Sequence, residues 1–153
     1  SIPIAEYARA LGVSDNKKRR ALIVSNLLAI HQKQYIGKLS AFCGIVSAAA
    51  AAGAGIAYLE GCGYEVIVRT ITNTLVTIGG MLCDGAKASC ASKIAVSLDN
   101  ALMALDMAKN GLTFGPGEGL VGNDVEETIA NIGRIARDGM RETDLEILKI
   151  MTE

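Results

Sequence analysis

Apolar positions along the 153-residue chain recur with a helical period almost throughout, and no run of strict alternation marks a strand. The pattern predicts a first helix over 3–11, stopped by Gly12, and a second from the N-cap Ser14 to about Ile36, ended by Gly37. A third is expected over 40–59, broken by Gly61-Cys62-Gly63, and a fourth over 64–82. A fifth runs from about Ala88 to Lys109 and stops at Asn110-Gly111. Residues 112–123 read as a Gly-rich connector, followed by helices over about 124–138 and 142–151. The expected class is all-α: one compact helical domain over 1–153, of about six or seven helices.

Composition sharpens the packing expectation. Half of the residues are apolar, yet there are four Tyr, two Phe and no Trp. Ala, Ile, Leu and Val therefore carry the core, with Gly beside them, and small side chains let helix backbones approach closely. The stretch from Leu39 to Leu59 has no formal charge and reaches the length of a bilayer span. It is dominated by Ala and Gly, which gain little from lipid, so it reads as a helix buried among helices and no membrane partner is expected. A net charge of -1 supplies no long-range field for nucleic acid. The one basic run, Lys17-Lys18-Arg19-Arg20, reads as a solvated helix face.

The opening Ser1-Ile2-Pro3 leads into a helix rather than a secretory signal. Four cysteines without an export signal favour reduced thiols and a cytoplasmic location. Gly115-Pro116-Gly117-Glu118-Gly119 superficially suggests a phosphate loop, but no strand precedes it and the Gly-Lys-Ser/Thr ending is missing. A plain connector is the better reading.

Chemistry concentrates on three cysteines. Cys83 and Cys90 enclose Cys83-Asp84-Gly85-Ala86-Lys87-Ala88-Ser89-Cys90, an expected turn between two helices whose small residues leave room for something bulky. Cys90 falls at the start of the fifth helix, where partial positive charge favours thiolate. Cys43 is expected in the first turn of the third helix, before Gly44. Three thiolates at helix starts could converge, but spacing alone fits zinc or buried cysteines nearly as well. Lys33, Lys38, Lys87 and Lys93 lie near cysteines in sequence. His31, the single histidine, reads first as a hydrogen-bonded structural residue; Asp84 could orient the Cys83 turn or cap the following chain, and the cap is the favoured reading.

A resemblance adds to this reading. Ala29-Ile30-His31-Gln32-Lys33, Gly37-Lys38-Leu39-Ser40-Ala41-Phe42-Cys43-Gly44 and Gly53-Ala54-Gly55-Ile56-Ala57-Tyr58-Leu59 resemble segments of bacterial and archaeal L-cysteine desulfidases and their uncharacterised relatives. So do Cys83-Asp84-Gly85-Ala86-Lys87-Ala88-Ser89-Cys90, Asn131-Ile132-Gly133-Arg134 and Asp138-Gly139-Met140-Arg141-Glu142-Thr143-Asp144. The segments occur in the family's order over nearly the whole chain and match its C-terminal part. That family is similar to the α chain of iron–sulfur L-serine dehydratases. The resemblance implies a [4Fe–4S] cluster on Cys43, Cys83 and Cys90, with Cys62 an incidental thiol. Those dehydratases can end in a further cysteine, whereas this chain ends Met151-Thr152-Glu153.

The resemblance further implies a lyase that eliminates hydrogen sulfide from L-cysteine, or water from L-serine, leaving pyruvate and ammonia. Lys87 and Ser89 are then candidates to contact cluster sulfur or the carboxylate of the small amino-acid substrate, and His31 and Lys33 weaker candidates for catalysis. Longer relatives carry an N-terminal portion with a Ser-Gly-Ser-Gly-Asn-Gln-Gly-type segment ahead of the point matching Ser1. This chain is thus expected to be the cluster-binding C-terminal part of a longer lyase, with that N-terminal part as its partner, and need not be active alone. Small-residue helix faces are also compatible with a homodimer. The alternative is a non-catalytic helical module whose cysteines bind zinc or simply pack.

Overall fold

The computed structural model describes residues 1–37 and 40–153; Lys38, one of the lysines near the cysteines, and Leu39 lie outside the described residues. Seven α-helices occur among them: α1 (Ile2–Ala10), α2 (Asp15–Ile36), α3 (Gly44–Leu59), α4 (Tyr64–Ile78), α5 (Ser89–Lys109), α6 (Val125–Arg134) and α7 (Arg141–Thr152). A π-helical turn over Ile135–Gly139 separates the last two. The all-α expectation therefore holds. No helix among the described residues is long and apolar enough to cross a membrane.

The ends of these helices follow local chemistry. Ser14 adopts an extended conformation and its Oγ accepts from the Lys17 amide, starting α2 as expected. Asp124 does the same for α6, accepting from the Glu127 amide at 2.8 Å. Glu127 reaches back to the Asn123 amide, so one free donor of the first turn and one just before the cap are satisfied.

Three boundaries differ from the sequence reading. The third helix begins at Gly44 rather than Ser40, which makes Cys43 its extended N-cap rather than a member of its first turn. The fourth ends at Ile78 rather than Leu82. Both changes have one cause: Phe42 and Leu82 form an isolated antiparallel bridge, so their backbones bond across chains of sequence instead of along helices. A single bridged pair has no period to detect. The expected helix over 124–138 passes into the π turn after Arg134, where the Met140 amide reaches back to the Ile135 carbonyl.

The Ala-rich α3 is the axis of the fold, packing against α1, α2, α4 and α5. Its small residues set how close those neighbours come. A Cβ on Gly55 would meet Ile4 Cδ1 at 2.6 Å, and one on Gly53 would meet Thr70 Cγ2 at 3.1 Å. Two apolar clusters divide along α3. Val46, Ala50 and Ala54 join Ile36, Phe42, Cys43, Ile71, Leu75, Ile129 and Ile132. Ile56, Ala57 and Leu59 join Ile4, Ala8, Ala21 and Leu105. Full burial of side chains such as Ile56 and Leu75 stabilises by about 1.5–3 kcal/mol each.

The Gly-rich segment is a connector, as expected. It is pinned by the buried Asn73 of α4, whose amide donates to the Leu112 carbonyl at 3.1 Å and whose oxygen accepts from the Phe114 amide and the Thr113 hydroxyl. By contrast α7 buries none of its residues.

Candidate functional site

The segments carrying Cys43 and Cys83 are joined by backbone. The Cys43 amide donates to the Met81 carbonyl at 3.0 Å, and the Cys83 amide donates to the Ala41 carbonyl at 2.6 Å. These bonds flank the Phe42–Leu82 bridge and place the two cysteines on paired strands. Ser40 anchors the first strand: its hydroxyl donates to the Ala136 carbonyl of the π turn at 2.5 Å and accepts from the Phe42 amide at 3.0 Å. Cys43 is buried within the first apolar cluster, and Cys83 packs against it half-buried. No heavy atom lies within 4 Å of where a Gly44 side chain would begin, so the backbone just after Cys43 borders open space.

Cys90 lies in the first turn of α5 and is half-buried. Its thiol lies 3.7 Å from the Gly85 carbonyl, and its amide donates to Lys87 at 2.9 Å. Gly85 has φ +88°, a conformation that favours glycine, which lets the chain double back between the two cysteines. All four cysteines are free thiols. Cys62 sits apart, against the second apolar cluster.

Asp84 takes the less favoured of its two expected roles and organises the turn. Its carboxylate pairs with Lys87 Nζ at 2.8 Å and Lys93 Nζ at 2.8 Å. It does not cap α5, which has no side-chain cap; two lysines on the same side of the turn outcompete a neutral amide for the carboxylate. Hydrogen bonds from Lys87 and Lys93 hold the Asp84 carboxyl well below the usual carboxylate range. Lys93 is raised above its ordinary value, first by Asp84 and further by the nearby Cys43 and Cys90.

Leu82, Asp84, Lys87 and Lys93 form one wall of a cleft of about 520 Å³, and Ile147, Ile150 and Met151 of α7 form the other. Two ammonium groups against one carboxylate leave this mouth net positive beside an apolar wall. The three sulfurs are not part of the wall itself.

The remaining candidates separate. Ser89 opens α5 and is exposed. His31 Nε2 and Glu126 Oε2 of α6 are 2.7 Å apart, and its ring stands edge-on to Tyr35. It thus joins α2 to α6, in line with the structural reading. Lys33 is exposed in the last turn of α2. Neither lines the cleft.

Among the described residues no three of His, Cys, Asp and Glu come together as a single metal ion requires. A four-iron cube holds its thiolates further apart than one ion does. Soft thiolates presented on two bridged strands and a helix N-terminus suit such a cluster in ligand type.

A UPF0597 protein of Treponema denticola is 53% identical over 151 residues, covering 99% of this chain and 35% of its own length. UPF0597 proteins of Desulfitobacterium hafniense and Lachnoclostridium phytofermentans are 50% and 51% identical, with 99% of this chain and 35% and 36% of their own lengths covered. The chain therefore spans about a third of these relatives. No solved structure matches it. The family model of the serine dehydratase alpha chain matches residues 1–149, and the chain belongs to that family.

Proposed function

We propose that these residues form the cluster-binding part of an iron–sulfur lyase, with a [4Fe–4S] cluster held by Cys43, Cys83 and Cys90. The reaction is α,β-elimination on a small L-amino acid, L-cysteine ahead of L-serine. The observation that carries the reading is the backbone bridge between the Cys43 and Cys83 segments, with Cys90 on the turn that leaves it.

A cluster held by three thiolates would supply one iron free to act as a Lewis acid toward the substrate's carboxylate and departing heteroatom. The chain's own residues bind and orient. Lys87 stands at the net positive mouth of the cleft and attracts the carboxylate. The Ser89 hydroxyl, at the start of α5, donates to the same carboxylate or to cluster sulfur. The apolar side chains of Ile147, Ile150 and Met151 line the facing wall and suit a thiol-bearing side chain better than a hydroxyl. As the α-proton passes to a base, the Cβ–S bond breaks and sulfide leaves with its electron pair. The resulting aminoacrylate tautomerises and hydrolyses to pyruvate and ammonia.

His31 is committed to Glu126 and Lys33 is exposed on α2. With both lysines of the cleft engaged by Asp84, we assign the base to the N-terminal portion that the resemblance implies, in keeping with relatives about three times as long. Four free thiols suit a reducing cytoplasm. One observation favours a packing role instead, the burial of Cys43 to 4% exposure.

The test is an anaerobic assay of the full natural polypeptide with L-cysteine and L-serine, following sulfide, ammonia and pyruvate. The proposal expects pyruvate from L-cysteine with stoichiometric sulfide, abolished in Cys83→Ala. Release of no product from either amino acid sinks it.

A further inference from the structure

Lys93 follows Cys90 by one turn of α5, on the same side of the helix. Its ammonium donates to the Leu82 carbonyl at 2.7 Å and to Asp84 Oδ1 at 2.8 Å. Leu82 and Asp84 are the residues on either side of Cys83. One side chain from α5 thus holds the backbone before Cys83 and the side chain after it, while the bridge through Phe42 ties the same segment to Cys43. The Lys93 side chain is 23% exposed, against 46% for Lys87, so it is the more enclosed of the two cations.

Lysine suits this position for two reasons. Three donors on one ammonium can serve a carbonyl and a carboxylate at once. A compact positive charge also offsets negative charge gathered on neighbouring thiolates, and the ammonium already feels both Cys43 and Cys90. A neutral side chain could provide the first effect and not the second.

We propose that Lys93 is a positioning residue that fixes Cys83 and Cys90 in register for ligation and balances the negative charge collected there. This rests on the cluster reading above. Its action runs through the cysteine segment, and it needs no contact with substrate.

The experiment compares wild type, Lys93→Met and Lys93→Arg in the full natural polypeptide, with two readouts. In the iron-free protein, backbone hydrogen exchange over residues 81–86 is expected to accelerate at least about five-fold in Lys93→Met. It should return toward wild type in Lys93→Arg, and Asp84→Asn should loosen the same segment. After anaerobic reconstitution, the midpoint potential of the cluster is expected to fall in Lys93→Met and recover in Lys93→Arg. Loss of a nearby positive charge disfavours the added electron. Unchanged exchange in Lys93→Met overturns the positioning role. Accelerated exchange with an unchanged potential overturns the charge-balancing role and leaves only a staple of the fold. A wild-type protein that assembles no cluster overturns the functional reading instead, while the exchange comparison still decides whether Lys93 holds the Cys83 segment.

Discussion

Gly133→Ala sets two opposing effects of known size against each other. Gly133 lies in α6, two residues before the π turn, where α6 packs on α2. Replacing glycine by alanine in a helix interior favours the helix by about 1 kcal/mol. Here the added Cβ would collide with Tyr35 Cβ and lie 3.0 Å from the Tyr35 carbonyl carbon. Neither atom is the end of a flexible side chain, so the helices themselves must separate. Overpacking of that kind costs about 1–3 kcal/mol, and the rigid neighbours place it at the upper end. The net expectation is a loss of about 1–2 kcal/mol, read as a lower urea midpoint at unchanged m-value.

The displacement also has a direction. Moving α6 away from α2 disturbs Ala136, whose carbonyl anchors Ser40 and through it the Cys43 strand. Maleimide labelling of the buried Cys43 should therefore quicken in the variant. Gly139→Ala is the control, because its nearest neighbours are Ile135 side-chain atoms at 3.6 and 3.7 Å, an ordinary contact. It is expected to stay within about 0.5 kcal/mol of wild type. A Gly133→Ala protein as stable as wild type would refute the close-packing argument for the α2–α6 contact.

Two further predictions concern the frame around the site. Asn73→Ala leaves the Leu112 carbonyl and Phe114 amide without their partner; a loss of about 1–3 kcal/mol is expected, with new proteolytic cuts within 112–123 as the check. Lys109 Nζ binds Glu60 Oε2 at 2.7 Å and ties the end of α5 to the end of α3, and this pairing raises the Lys109 pKa. A raised lysine stabilises the fold fully below its unfolded value of about 10.4, and that contribution fades as pH climbs through the folded-state value. Wild type should therefore melt above Lys109→Met at neutral pH, with the gap closing on the alkaline side; a gap constant across pH would contradict the pairing.

Helix number and order were legible in the sequence because long periodic segments with Gly stops leave strong signals. Ser14, Gly37 and Asn110-Gly111 marked their boundaries for local reasons that survive folding. What failed depended on contacts distant in sequence. Helical periodicity ran through Ser40 and Leu82, yet these segments pair with each other across the fold. The π turn arises where α6 passes into α7, and no residue pattern announces it. The start of α5 beside Cys90 and, away from the site, the connector role of 112–123 were readable. The assignment of Asp84 was not, because its partner Lys93 lies beyond the turn in the next helix. A lysine one turn after the second cysteine was the available signal.

The central claim is that Cys43, Cys83 and Cys90, and not Cys62, hold an iron–sulfur cluster. Anaerobic reconstitution with iron and sulfide, followed by the visible absorption spectrum, tests it most directly. The full natural polypeptide would be compared with Cys43→Ala, Cys83→Ala, Cys90→Ala and Cys62→Ala. A broad cluster band is expected in wild type and Cys62→Ala and is lost in each of the other three. A wild-type protein without the band, or a band that survives loss of Cys83, would contradict it.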